Sequence, residues 1–483
     1  MAKIMIQGTG SSVGKSVTTA ALLRIFKQDG YKVVPYKSQN MSNNSFITLE
    51  GEEMGRAQVL QAYAAGVRPR SIMNPILIKP SADAMAQVIV NGKVHGNFSA
   101  TEYEKMKPKF KVMIKEQLEE LEDEYDIIVI EGAGSPAEIN LRKNDVVNMG
   151  LATMIDCPVL LVGDIDKGGV FASLYGTIKL LQKEEQELIK GTIINKFRGD
   201  INLLLPGIKQ LEDLTLKDNL GVIPYYHFEL EEEDGASFYK RDATDAIDFA
   251  VLRLPHLSNH SDFEVLKYEK DVSLRFITKK EELGNPDVLF IPGNKNTIYD
   301  LEWLKKNGIF DQIQSLEDTV VFGICGGYQM LGKMVNDKDS VESKIVSSVG
   351  FDKIPMITDM EPMKVTKQSK GYLNESVKVY GYEIHMGKSR FLEDTNHLIQ
   401  LEDGHVDGYV SPDKKVYGTY MHGVFDSPSF REYFINPLRK EKGLTEKKSI
   451  NYEEIREETL DKLADLVREN LDMDKIYKIL NMS

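Results

Sequence analysis

The opening segment KIMIQGTGSSVGKS, residues 3–16, leaves the chain little choice of local fold. An apolar run, a glycine-rich loop and a helix-forming stretch follow one another directly. The chain must therefore run as a strand, turn tightly and leave as a helix. Backbone N–H groups of such a loop, together with the helix N-terminus, form a cradle for phosphate. Gly8, Thr9, Gly10 and Gly14 build the loop. Lys15 is placed to reach the terminal phosphates of ATP, and Ser16 to hold Mg²⁺. Thr9 stands where the usual phosphate loop carries its first glycine.

A strand–loop–helix start predicts a parallel sheet, and the next two hundred or so residues continue the alternation. Short Val- and Ile-rich runs at residues 3–7, 32–36, 127–131, 158–163, 192–195 and 222–224 read as strands buried on both faces. Helices are expected over residues 15–28 and 102–122; the first gathers Val17, Ala20, Ala21 and Leu22 to Phe26 toward one face. These features predict a doubly wound α/β domain over residues 1–230. An acidic, weakly apolar stretch at 231–247 reads as a linker. A second α/β pattern begins at DFAVLRL and runs over 248–440, with a strand expected at 416–423. The charged residues 441–483 read as a helical tail, expected to pack on the second domain. A chain of 483 residues needs at least two such cores.

In an open parallel sheet, ligands bind beyond the carboxyl ends of the strands. Glu131 ends the run IIVIE there, as a second metal ligand or an anchor for Mg²⁺-bound water. Asn195 and Lys196 reach the same edge in IINKF, where the Asn195 amide can read an adenine. Asp164 and Asp166 arrive there too, able either to bind Mg²⁺ or to cap the next helix.

The second domain carries a different device. In VVFGICGGYQMLG, Cys325 stands between an apolar run and a glycine pair that opens a helix. A side chain at that elbow projects from the top of the sheet, and the N–H groups that follow point at whatever it attacks. The helix N-terminus favours the thiolate. Gly326, and Gly293 at the end of LFIPG, are the expected oxyanion donors. Among eight histidines, His422 at the end of VYGTYMHG is the preferred base, with His385 its rival. A carboxylate two residues after the histidine would complete a triad, but that position is Val424. Either a Cys325–His422 dyad operates or another group, such as Asp426, orients the ring.

Composition narrows the classes. A formal charge of −14 argues against non-specific nucleic-acid binding. No apolar run is long enough to span a bilayer, and the N-terminus lacks a signal-peptide pattern. With only Cys157 and Cys325 no disulfide framework is expected, and a reducing cytoplasm fits.

The first loop shares its Thr9 departure with dethiobiotin-synthetase-like ATPases. Along nearly its whole length the chain resembles the cobyric acid synthases, glutamine-hydrolysing enzymes of cobalamin biosynthesis. The resemblance is carried in order by MIQGTGSSVGKS, YKSQNMSNNSF, GRAQVLQAYAAG, MNPILIKP, EGAGSPAEINLRKNDVVNMGLA, VGDIDKGGVFASLYGT, INKFRGD, FGICGGYQMLG, GYEIHMGKSRF and YGTYMHGVFD. It implies a P-loop ATPase domain fused to a flavodoxin-like class I glutamine amidotransferase domain. It also implies ATP and Mg²⁺, with L-glutamine as nitrogen donor and a corrinoid substrate amidated at its b, d, e and g carboxylates. The family's nucleophile and base fall on Cys325 and His422, and the family too lacks the third glutamate. The polar runs QNMSNNS and AEINLRKND offer Gln39, Asn40, Asn43, Asn140, Arg142 and Asp145 as candidate substrate or metal contacts, or else as surface loops and caps.

Overall fold

A computed structural model of the chain describes residues 2–80, 85–226, 247–373 and 376–482. Nearly all of the expected linker lies outside the described residues.

The first sheet has six parallel strands in the order Asn219–Pro224, Ile189–Phe197, Val159–Asp164, Ala2–Gly8, Ile127–Glu131 and Val33–Tyr36. The strand order reverses beside Ala2–Gly8, so the glycine loop opens at a topological switch point, where a crevice forms above the sheet. Both faces of the sheet are covered, which is why these strands read as unbroken apolar runs rather than alternating ones.

The helix Lys15–Gln28 follows the loop without a break. Its apolar residues are not confined to one face: Ala20, Ala21, Leu22, Leu23, Ile25 and Phe26 are all buried. A helix so apolar needs cover on the side away from its sheet. The C-terminal tail supplies it: its start packs on the second domain as expected, with Tyr452 buried there and Lys447 2.9 Å from Asp271, but the rest departs from that expectation and covers the first domain. Helix Tyr452–Asn470 lies along Lys15–Gln28 and buries Leu460, Leu463, Ala464 and Val467 there. Arg24 fixes the alignment through Asp461 at 2.7 Å and Glu457 at 2.8 Å. The chain thus returns to its first sheet after completing the second, and Asp472 N–H donates to Leu220 C=O at 2.8 Å.

The second sheet runs Val272–Ile277, Ile247–Leu252, Val288–Ile291, Val320–Ile324, Val416–Thr419 and Tyr409–Val410, all parallel except the last. The single strand expected at 416–423 is in fact two. Val416–Thr419 stays in this sheet, and Met421–His422 pairs with the long hairpin Met356–Leu373/Val377–Phe391. The switch at Tyr420 turns the chain over the sheet edge, so that His422 hangs above Cys325.

The two halves meet through a small antiparallel pair, Ser45–Ile47 and Glu53–Gly55, that leans on the second domain. Ser45 C=O accepts from the Tyr382 hydroxyl at 3.0 Å, and Ser261 donates to Asn44 Oδ1 at 2.9 Å.

Candidate active sites

The first site sits above the switch point, in a cavity of about 860 Å³. Gly14 holds the turn into the helix with a φ of 100°. A Cβ at Gly14 would collide with the Asn195 amide, so the residue must be glycine on both counts. The Lys15 ammonium bridges the loop to the neighbouring strand end, donating to Gly10 C=O at 2.8 Å and Gly134 C=O at 3.0 Å. Ser16 Oγ donates to Glu131 Oε1 at 2.8 Å. The buried Glu131 carboxylate also takes Lys37 at 3.0 Å and the Gln61 amide at 2.5 Å. A hydroxyl and a carboxylate oxygen side by side suit a hard cation such as Mg²⁺. Among the described residues no group of three or more His, Cys, Asp or Glu is arranged to hold a metal. Ser16 Oγ and the Glu131 carboxylate are the donors this site offers such a cation.

Gly8, Thr9 and Gly10 lie on the floor of the loop, where Thr9 N–H donates to Val162 C=O at 2.9 Å. Asn195 braces the loop at the cavity wall. Its amide donates to Val13 C=O at 3.0 Å, and its Oδ1 accepts from Lys196 N–H at 2.9 Å. With these contacts it holds the loop's shape, and it also lines the nucleotide cavity. Lys196 ties Asp164 at 2.9 Å to the loop carbonyl of Ser12 at 2.7 Å, and Asp166 pairs with Arg198 at 3.0 Å.

The polar segments expected to meet substrate separate into three groups. Gln39, Asn40, Arg142 and Asp145 line the cavity; Asn43 and Asn140 do not. Asn140 is exposed on the surface, and Asn43 lies near the contact between domains. Arg142 is paired to Glu185 at 2.9 Å. Both oxygens of Asp145 are taken by backbone N–H groups, those of Val147 at 2.8 Å, Asn148 at 3.0 Å and Gly150 at 2.8 Å. Asp145 therefore caps the following helix, although it borders the cavity.

The second site is built around the elbow. Cys325 adopts φ 52° and ψ −109°, a backbone conformation costly for any side chain, between strand Val320–Ile324 and helix Gly326–Leu331. Cys325 N–H donates to Thr419 C=O at 2.9 Å, which locks the elbow to the strand that leads to His422. Gly293 fits between the two side chains: a Cβ there would lie 2.8 Å from His422 Cε1 and 3.6 Å from Cys325 Cβ. Gly326 opens the helix after the cysteine.

The group that orients His422 is neither Asp426 nor absent. Asp262 Oδ2 lies 2.7 Å from His422 Nδ1, and its Oδ1 accepts from Gly423 N–H at 2.8 Å. Asp262 comes from the short helix His260–Tyr268, just after the first strand of this domain. Of the two alternatives the second holds, with Asp262 in place of Asp426, in a Cys–His–Asp arrangement. Burial disfavours the imidazolium, but the charges of Asp262 and Cys325 outweigh it, and His422 is pushed up to about 10. The rival His385 is engaged elsewhere, with Nδ1 at 2.8 Å from Gly387 C=O and its ring stacked 3.8 Å from Tyr420.

Sequence comparison agrees with this division. Residues 4–234 match the CobQ/CobB/MinD/ParA nucleotide binding domain, and residues 248–430 match the CobB/CobQ-like glutamine amidotransferase domain. A cobyric acid synthase of Clostridium botulinum is 56% identical over 492 residues, covering 100% of both chains. Those of Clostridium tetani and Clostridium acetobutylicum are 55% and 54% identical, covering 100% of this chain and 99% of theirs. This chain belongs to the cobyric acid synthase family. It is thus a glutamine amidotransferase-type synthetase of cobalamin biosynthesis, with its nucleotide-binding P-loop domain and its glutaminase domain in one polypeptide. No helix among the described residues is long and apolar enough to cross a membrane.

Asp262 and the charges around the cysteine went unread in the sequence. The only local sign was polar residues clustered in SNHSD a few residues after a buried strand, at the carboxyl edge where sites form.

Proposed function

We propose that this protein amidates the b, d, e and g carboxylates of adenosylcobyrinic acid a,c-diamide, giving adenosylcobyric acid with ATP and glutamine. The observation that carries this reading is the full-length identity to relatives named cobyric acid synthase, which extends across both sites. A cytoplasmic setting suits the free Cys325 thiol.

A carboxylate resists attack by ammonia because it is a poor electrophile. Transfer of the ATP γ-phosphoryl group to a carboxylate oxygen gives an acyl phosphate and ADP. Ammonia then attacks the carbonyl and phosphate leaves. Lys15 and the loop N–H groups neutralise the phosphates as charge shifts, and Lys37 sits beside Glu131 to steady that edge. Ser16 and Glu131 would hold Mg²⁺, which when bound would supply positive charge beside the transferring phosphate. Gln39, Asn40 and Arg142 stand at the wall where the corrinoid side chains would enter.

Ammonia comes from the second site. The Cys325 thiolate attacks the glutamine side-chain amide, and Gly293 and Gly326 N–H groups receive the oxyanion. The His422 imidazolium gives its proton to the departing ammonia, and Asp262 keeps the ring turned toward the sulfur. Water then releases glutamate from the sulfur.

The test is chemical. Incubation of the protein with ATP, Mg²⁺, glutamine and the a,c-diamide should add four amide nitrogens by mass, with ADP and phosphate formed. Nitrogen entering cobyrinic acid at the a and c positions instead would identify the related a,c-diamide synthase. AMP as product would rule out the acyl phosphate.

A further inference from the structure

The cavity beside Cys325 is small, about 30 Å³, and its lining is unusually basic. Lys79, Lys295 and Lys364 border it against the single carboxylate of Glu342. Lys79 does not belong to the glutaminase domain: it lies on strand Ile76–Pro80, which pairs with Gln39–Met41 at the wall of the nucleotide cavity. Behind the lysines, the buried Glu53 joins the domains. Its Oε1 holds Lys79 at 2.8 Å and its Oε2 holds Lys364 at 2.5 Å. Lys79 also donates to Ser45 at 3.0 Å and Lys364 to Gln87 at 3.2 Å.

An ammonium has three N–H donors. Lys79 and Lys364 each use two on these partners, which leaves each one donor for the cavity. The Lys295 ammonium has no hydrogen bond or ion pair among the described residues. Burial holds Lys295 and Lys364 below the ordinary lysine range, a cost that an incoming anion would relieve. Glu342 accepts from Thr297 N–H at 3.3 Å and borders the same cavity. Three cations, a carboxylate and the Cys325 thiol on the wall of one cavity match the two charged groups and the reacting amide of a free glutamine. The flexible stems of the lysines are the parts that can withdraw to admit it.

We propose that Lys79, Lys295 and Lys364 bind the α-carboxylate of glutamine and Glu342 its α-ammonium, so that the synthetase domain, through Lys79, completes the glutaminase pocket. This rests on the glutaminase reading given above. Because Lys79 shares its strand pairing with the nucleotide wall, movement there has a direct route to the glutamine site.

Alkylation of Cys325 in the full-length protein separates these claims. The diazo-ketone 6-diazo-5-oxonorleucine carries both α groups of glutamine, whereas iodoacetamide carries neither. In Lys295→Met and in Lys79→Met, labelling by the diazo-ketone should slow by roughly ten- to a hundredfold, the loss of one charged hydrogen bond. Labelling by iodoacetamide should hold its rate, and Lys79→Arg should recover most of the diazo-ketone rate. Equal slowing with both reagents, or with neither, overturns the proposal. Slowing in Lys295→Met alone removes the synthetase domain's share and overturns it too. Failure of the diazo-ketone to label Cys325 in the unsubstituted protein would instead sink the glutaminase reading itself.

Discussion

Asp262 holds His422 Nδ1 at 2.7 Å from a position 160 residues earlier in the chain. The pair is buried, and the second oxygen of Asp262 is tied to the backbone next to the histidine. That double grip fixes both the tautomer and the tilt of the ring. Asp262→Asn keeps the shape but offers the ring an N–H in place of an acceptor. Glutamine-dependent synthesis should fall by about 10³-fold or more. Synthesis with high ammonia should persist, because that nitrogen bypasses the ring. Rates measured with each nitrogen source decide the point; equal losses would contradict it.

The same pair sets a pH limit. In an unfolded chain the histidine titrates near about 6.5. In the fold it is raised to about 10, so the imidazolium persists through neutral pH. Its stabilising effect is complete below the unfolded value and is lost as pH rises through about 10. Glutamate release in a single turnover should therefore fall on the alkaline side around that pH. Asp262→Asn should move this limb to lower pH, and an unmoved limb would assign it to another group.

How much of this was legible depends on how far each signal reaches along the chain. Gly14, Lys15 and Ser16 act within one turn, and Cys325 acts within one elbow, so their neighbours announce them. His422 could be chosen because strand ends gather at one edge. Asp262 could not, since only the packing of a short helix under the strand switch at Tyr420 brings it to the ring. Glu53 and Lys79 were invisible for another reason. Charged residues within strands read as solvent-facing, and only the docking of a second domain buries them. Asn195 was placed at the correct edge, but the sequence could not say that Val13 C=O would claim its amide.

Two substitutions should show that the sites are separable. Cys325→Ser should abolish glutamine-dependent synthesis and spare synthesis driven by ammonia. Lys15→Ala should stop both, because Lys15 serves phosphoryl transfer and not ammonia formation. Assays of ADP and glutamate side by side check this. An unaffected ammonia-driven rate in Lys15→Ala would remove the lysine from the ATP site.

Gly14→Ala tests the loop without touching a charge. Its φ of 100° is strained for any Cβ-bearing residue, at about 1–3 kcal/mol. The new methyl would also displace Asn195. ATP binding measured by calorimetry should weaken by about tenfold or more, while alkylation of Cys325 keeps its rate. Unchanged ATP affinity would mean that the loop adapts.

The returning tail offers a comparison of packing against charge. Leu463 is fully buried against the helix that carries Lys15 and Ser16 at its start. Asp461, two residues earlier on the same helix, pairs with Arg24 but has a side chain 48% exposed. Leu463→Ala removes buried methyl groups and leaves a cavity, at a cost of about 2–5 kcal/mol. Asp461→Ala gives up a screened ion pair, at a cost below about 1 kcal/mol. Denaturant unfolding followed through ATP binding should rank the two in that order. Leu463 belongs to the core of the first domain and not to that of the second, so Leu463→Ala should leave Cys325 labelling by 6-diazo-5-oxonorleucine at its usual rate under conditions where ATP binding is already failing. Loss of both together would mean that the two domains unfold as one unit, with the Glu53 bridge transmitting the tail's failure to the glutaminase.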